Sequence, residues 1–308
     1  MAFTAKDVAE LRKQTGSGLM DCKNALTEAN GNFAEAIKLL REKGMATAAK
    51  KQSRTAAEGV VAVYTENGVT AMAEVNTETD FAAKGEAFQT FVKDLLKTIV
   101  ANKPATVEEL MTKSMPAGNT VDEALQEISG AILHEKVSIR RFVLVEGAVS
   151  TYIHGAGETG VVISFEVAPA AVAETDAFAA FAKNIALQAA AIPSLYVDRA
   201  SVPQSALDEE MEILKKQMEQ DPKFAGKPAN VIEGIVKGKM GKYFETNCLL
   251  EQAYVKDDSL TVGKYVAAAA KELGAEIKVV SFVRYDKGEG IEKKEDDLAA
   301  EVQKMING

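Results

Sequence analysis

Gly155-Ala156-Gly157-Glu158-Thr159-Gly160 has the spacing of a GxGxxG phosphate cradle. In a dinucleotide site that turn leaves a strand and opens a helix, so that the helix N-terminus faces the pyrophosphate. Here the turn runs into Val161-Val-Ile-Ser-Phe-Glu-Val, whose alternation predicts a strand. The glycines therefore read as a hairpin turn. No GxxxxGK[ST] occurs in the chain, so no P-loop is present to hold GTP or ATP. Cys22 and Cys248 form no CxxC pair, and two histidines, His134 and His154, are too few for a His-rich metal site. Carboxylate pairs such as Glu209-Glu210 and Asp296-Asp297 lie on polar helix faces and read as solvated. The expectation is a protein without catalytic residues, metal or cofactor.

A few residues fit poorly as scaffold. On a helical projection Met20 falls roughly 160° from the apolar stripe of Leu19, Cys22, Ala25, Leu26 and Ala29. Asp80-Phe81 sits at a strand-to-helix corner, Asn76-Thr-Glu-Thr-Asp80-Phe81. A scaffold role would have Thr79 or Asp80 cap the helix and Phe81 pack at its start. His154 lies in a turn between two strands, where a solvated side chain is the ordinary outcome.

The elements that carry these residues emerge from periodicity. Residues 1–44 predict three short helices. Thr4 caps the first, and Thr15-Gly16 ends it; Asn32, three residues before Glu35, starts the third, which closes at Gly44. The stretch 50–58 lacks large apolar residues and reads as a linker. Strands then flank Glu66-Asn67-Gly68, a hairpin turn. A helix comes next, with Phe88, Phe91, Val92, Leu95 and Ile99 on one face. This hairpin-plus-helix unit recurs: Gly68-Val69 and Glu74-Val75 return as Gly160-Val161 and Glu166-Val167, and Ala87-Phe88 with Phe91 returns as Ala177-Phe178 with Phe181. Two related α+β subdomains are expected. The second copy has no acid-Phe pair at its corner, which favours a partner-directed role for Asp80-Phe81. Leu207, Met211, Leu214 and Met218 face Ile232, Ile235, Val236 and Met240 across a Pro/Gly turn, the pattern of a helical hairpin.

Composition sets the outer limits. Apolar residues make up 47% of 308 and charged ones 26%, with a net charge of −9. That balance disfavours broad nucleic-acid binding, although Lys38, Arg41, Lys43, Lys50, Lys51 and Arg54 concentrate in one segment. No apolar run approaches a membrane span, and cysteine usage suits a reducing compartment, so a soluble cytoplasmic protein is expected.

At this point a family becomes recognisable. Thr15-Gly-Ser-Gly-Leu-Met-Asp-Cys-Lys-Asn-Ala-Leu26 resembles the N-terminal signature of the elongation factor Ts family, and Glu74-Val-Asn-Thr-Glu-Thr-Asp-Phe-Ala-Ala-Lys84 resembles its second. Ile139-Arg-Arg, Tyr152-Ile-His-Gly155, Gly226-Lys-Pro with Ile232 to Lys239, and Gly288-Glu-Gly-Ile-Glu-Lys293 come in the family's order. Leu133-His134-Glu135 departs from it, with His134 where the family has Gly in a further contact site. Leu19 stands where Met is common.

The resemblance implies an α+β fold. A ubiquitin-associated-like (UBA-like) three-helix bundle would span 1–49 and a linker 50–58. A core of two subdomains with antiparallel sheets would span 59–147 and 148–200 with 241–287. A protruding antiparallel helical hairpin (coiled coil) would occupy 201–240, and a C-terminal module with a C-terminal helix 288–308. It also implies a non-enzymatic guanine-nucleotide exchange factor whose partner is elongation factor Tu. Arg12, Leu19 and Met20 would grip that GTPase. Asp80 and Phe81, with Ala82 and Ala83 behind them, would intrude near its nucleotide and dislodge Mg²⁺, and His154 would add a contact. No nucleotide, nucleic acid or membrane would be bound directly. The hairpin would either mediate a homodimer or touch the partner. The rival reading is a helical adaptor or scaffold without exchange activity.

Overall fold

The computed structural model describes residues 3–221 and 229–292. The described residues form two compact units. One holds those up to Leu144, with Gly155–Thr159 and those from Tyr285; the other holds Val145–His154 and Gly160–Arg284.

The first unit begins with α1 (Ala5–Thr15), α2 (Leu19–Glu28) and α3 (Phe33–Lys51). Thr4 opens α1 through a capping box with Asp7: each side chain accepts from the other residue's backbone N–H. Asn32 Oδ1 accepts from the Glu35 N–H and starts α3. Leu11, Cys22, Leu26 and Ala36 are fully buried where the three helices meet.

The expected stop of α3 at Gly44 does not occur, and the helix runs on to Lys51. Gly44 serves close approach rather than termination. A methyl at Gly44 would meet the Ala131 Cβ at 3.2 Å, and one at Gly130 would lie 1.8 Å from the Gly44 carbonyl oxygen. Backbone thus packs on backbone between α3 and the wide turn Ile128–Ile132. Gly130→Ala is expected to cost about 1–3 kcal/mol by overpacking, read as a lowered thermal midpoint; a midpoint equal to the parent's would show that the turn can yield.

After α3 come β1 (Glu58–Glu66) and β2 (Val69–Thr77), antiparallel and in one-to-one register from Glu58↔Thr77 to Glu66↔Val69. The helices α4 (Asp80–Lys84), α5 (Glu86–Asn102), α6 (Val107–Met111) and α7 (Val121–Glu127) are next, and β3 (Val137–Glu146) completes a sheet of order β1-β2-β3. As the middle strand, β2 is buried at every position. Its alternate residues Val69, Ala71, Ala73 and Val75 share a core with Phe88, Leu95 and Ile99 of α5. Period two turns Glu74 to the opposite face, where it is wholly buried.

The second unit repeats this plan. Strands β4 (Ala148–His154) and β5 (Thr159–Ala168) join β8 (Glu276–Asp286) in the order β4-β5-β8, and α8 (Asp176–Ala191) covers them. Val161, Ile163 and Phe165 meet Phe178, Phe181 and Ile185 as their counterparts do in the first copy. The Phe165 and Phe178 rings stand edge to face at 5.4 Å. The helices α9 (Gln204–Gln220) and α10 (Ala229–Asn247) pack as a hairpin through Leu214, Met218, Val236 and Met240. The short strands β6 (Ala253–Tyr254) and β7 (Asp257–Thr261) and the helix α11 (Val262–Leu273) lead into β8. The hairpin's Pro222–Pro228 turn and the expected C-terminal helix lie outside the described residues. Among the described residues, no helix is long and apolar enough to cross a membrane.

Candidate functional site

The corner between β2 and α4 is held from both sides of the chain. Strand alternation puts Thr77 and Thr79 on one side and Glu78 on the other. The Thr79 N–H and the Thr77 hydroxyl both donate to Glu135 Oε2 at 3.0 Å, and the Thr79 hydroxyl donates to Oε1 at 2.7 Å. On the opposite side the Lys136 N–H donates to Glu78 Oε1 at 2.6 Å, and Arg54 pairs with the Glu78 carboxylate at 3.1 Å. Thr79 Oγ1 also accepts from the Ala82 N–H, capping α4.

This cap presents the two residues singled out at the corner. Asp80 Oδ2 accepts from Lys84 Nζ at 2.6 Å, and that bond chiefly holds its carboxyl below the usual range. Ala83 is buried and Ala82 partly so. Phe81 does not pack at the helix start: its ring is 83% exposed. The second copy turns the same corner with Ala170–Glu174, a helical turn of equal length, and Ala171 stands in the place of Phe81.

At the N-terminal helices Arg12 is exposed on α1, and Met20 is exposed on α2 as its position off the apolar stripe predicts. Leu19 belongs to the stripe by periodicity yet, as the first residue of α2, it is 51% exposed. Next to them, Asp21 receives Lys43 and approaches His134 Nε2 at 3.8 Å. His134 has a left-handed backbone (φ 54°), the conformation glycine adopts most readily. The basic segment is largely absorbed by the fold. Lys38, Lys43 and Arg54 are in ion pairs with Glu42, Asp21 and Glu78, and Lys51 is buried with its ammonium pKa pushed down, first by desolvation.

In the other unit His154 ends β4, exposed, with the Tyr152 hydroxyl 3.2 Å from Nδ1. The GxGxxG stretch is a hairpin turn, as the strand after it predicts. Gly155, Ala156 and Gly157 are all left-handed, and the chain enters β5 at Thr159 rather than a helix.

The first unit therefore carries Arg12, Leu19, Met20, Asp80, Phe81, Ala82 and Ala83, and the second carries His154. Among the described residues no cluster of His, Cys, Asp or Glu could hold a metal. Cys22 and Cys248 are buried free thiols; burial pushes Cys248 up to about 11. Neither is a poised nucleophile.

Sequence patterns do not single out two carboxylates that the fold engages, one partly buried and one wholly buried. One is Glu135 at the corner, for which the Thr-Glu-Thr alternation was the available signal. The other is Glu74, which accepts from Arg140 Nη1 at 2.9 Å, Arg141 Nε at 2.7 Å and the Gly288 N–H at 2.8 Å. Its repeat counterpart Glu166 is exposed, so the duplication extends to the backbone and core but not to this hub.

A family model described as Elongation factor TS matches residues 78–289. The chain is 44% identical over 313 residues to elongation factor Ts of Clostridium kluyveri, covering 99% of both chains. It is 42% identical over 309 residues to elongation factor Ts of Syntrophotalea carbinolica, again covering 99% of both. To elongation factor Ts of Trichlorobacter lovleyi it is 42% identical over 309 residues, covering 98% of both.

Proposed function

Since the chain belongs to the elongation factor Ts family of translation elongation factors, we propose that it binds elongation factor Tu carrying GDP and promotes release of the nucleotide, so that GTP can load. The observation that carries this reading is Phe81, an aromatic ring 83% exposed on a corner locked by hydrogen bonds. An exposed ring adds little to the stability of its own fold. The same corner forms in the second copy without it.

In this reading the N-terminal helices grip the GTPase through Arg12, Leu19 and Met20. Asp80 and Phe81, backed by Ala82 and Ala83, enter its nucleotide domain near Mg²⁺. His154 adds a contact from the second subdomain. The protein breaks no bond and holds no nucleotide, metal or other cofactor of its own, and its place is the cytoplasm, where translation runs.

The energetics are those of linkage. A factor that binds nucleotide-free GTPase more tightly than the GDP form weakens GDP binding by the same factor. About 1.4 kcal/mol of that coupling changes nucleotide affinity tenfold. Packed helix interfaces switch between discrete arrangements, so a wedge that stabilises one of them can supply energies of this size.

The test is to load elongation factor Tu with fluorescent GDP, add excess unlabelled GDP, and monitor fluorescence loss with increasing amounts of this protein. Release that accelerates and then saturates is the expected result. Complex formation with no acceleration would put the helical-adaptor reading in its place.

A further inference from the structure

We propose that Glu135 is the positioning residue of the exchange corner, its carboxylate holding Asp80-Phe81 in the projecting geometry. The proposal rests on the exchange reading above and adds to it the group that orients the wedge.

A side chain that packs on nothing cannot orient itself. Phe81 is 83% exposed, so its direction is set by the backbone of α4. That helix is only five residues long, far below the length at which a helix persists in water. Its geometry must come from tertiary bonds at its start. Glu135 supplies them through the two bonds from Thr79 and the one from Thr77. The Thr79 hydroxyl is the pivot, since it donates to Glu135 and accepts from Ala82 at once. Glu135 is itself anchored, because the Ser129 hydroxyl donates to its carbonyl oxygen at 2.6 Å. The reciprocal bond from the Lys136 N–H to Glu78 closes the clasp.

The second copy supplies the internal control. Aligned on the corner turn that puts Ala171 in the place of Phe81, Val167 and Pro169 stand at the positions of Thr77 and Thr79, and neither has a side-chain donor. A corner of the same length forms there regardless. The clasp is therefore not needed to turn the chain. It occurs in the copy whose corner carries the exposed aromatic.

The test compares Glu135→Ala, Glu135→Gln, Phe81→Ala and the Glu135→Ala/Phe81→Ala pair in the full chain, with thermal midpoints recorded for each. In the fluorescent-GDP assay Glu135→Ala is expected to lower the saturating release rate about tenfold, the size expected for losing hydrogen bonds to a charged group. The half-saturating concentration should stay nearly unchanged, because the other contacts set it. Glu135→Gln should recover most of the rate: its carbonyl oxygen can take the Oε2 bonds, and its amide can donate to the Thr79 hydroxyl. The double variant should be no slower than Phe81→Ala alone. In the free protein, amide hydrogen exchange at Thr79 and Ala82 should speed up in Glu135→Ala and not in Glu135→Gln.

A folded Glu135→Ala variant with the parent's release rate would overturn the proposal. So would a double variant slowed by the full product of the two single effects, since Glu135 would then act other than through Phe81. If the parent itself fails to accelerate release, the exchange reading falls, and unchanged amide exchange would separately refute the positioning role.

Discussion

Phe81→Ala is expected to fold and melt like the parent and to lose about 10- to 100-fold of the acceleration of GDP release. The two halves of this expectation have one physical source. A ring 83% exposed in the free protein contributes little buried area to its own fold, so truncating it leaves stability nearly unchanged. The same ring carries its full apolar surface into any interface it enters, where burying a Phe side chain is worth about 1.5–3 kcal/mol. At about 1.4 kcal/mol per tenfold, that range converts to the stated loss. Asp80→Ala should do less, because in the free protein Asp80 is already paired with Lys84 on an exposed surface. Stopped-flow release of fluorescent GDP, read beside thermal melts, measures both halves. A folded Phe81→Ala variant as fast as the parent would remove the wedge from the proposed mechanism and leave the proposed grip through Arg12, Leu19 and Met20 to account for exchange.

Glu74→Ala is expected to cost about 3 kcal/mol of stability, the low end for breaking a buried ion pair. Glu74 is fully buried and joins Arg140, Arg141 and the Gly288 N–H, while Arg141 also pairs with Glu289 at 3.0 Å and lies over the Tyr285 ring. The two guanidiniums remain partly exposed and would regain water, which keeps the cost from reaching the top of the range. The pH dependence has a definite sign. Burial alone would raise the Glu74 carboxyl, but the Gly288 N–H, Arg140, Asn76 and Arg141 outweigh it and hold the group below its ordinary value of 4.5. A carboxyl depressed in the folded state stabilises that state fully above its unfolded pKa, and the contribution fades as pH falls through the folded one. The gap in melting temperature between parent and Glu74→Gln should therefore be widest near neutral pH and shrink below about pH 4.5. A gap independent of pH down to 3 would mean that the carboxylate charge is not what stabilises this hub.

Much of the backbone is legible in the sequence because it rests on local rules. Thr4 and Asn32 cap helices where a side-chain oxygen precedes an apolar period, Asn67-Gly68 turns a hairpin, and the Phe88-to-Ile99 stripe is buried as its spacing requires. The GxGxxG stretch is legible as a turn for the same reason, since residues 161–167 alternate as a strand does. Gly44 misleads because a glycine is ambiguous from sequence alone. It ends a helix when the chain needs a left-handed residue, and it continues one when a second backbone must come close. The choice depends on Gly130, 86 residues further along the chain (130 − 44).

The candidate site divides along the same line. Local pattern singles out Met20, which lies off its helix's stripe, and Asp80-Phe81, which the second copy lacks. Whether Phe81 is a helix staple or a free ring is not written in its neighbours, because exposure depends on what else packs at that corner. By itself the sequence determined the family, the α+β elements and their repeat, since signatures, caps and periods act within a few residues of one another. Only the tertiary structure decided that Phe81 stands free, that Glu135 grips its corner from 54 residues away (135 − 81), and that Glu74 is buried while its repeat partner Glu166 is solvated. Burial and ion pairing at those positions depend on segments remote in sequence, and no local period encodes them.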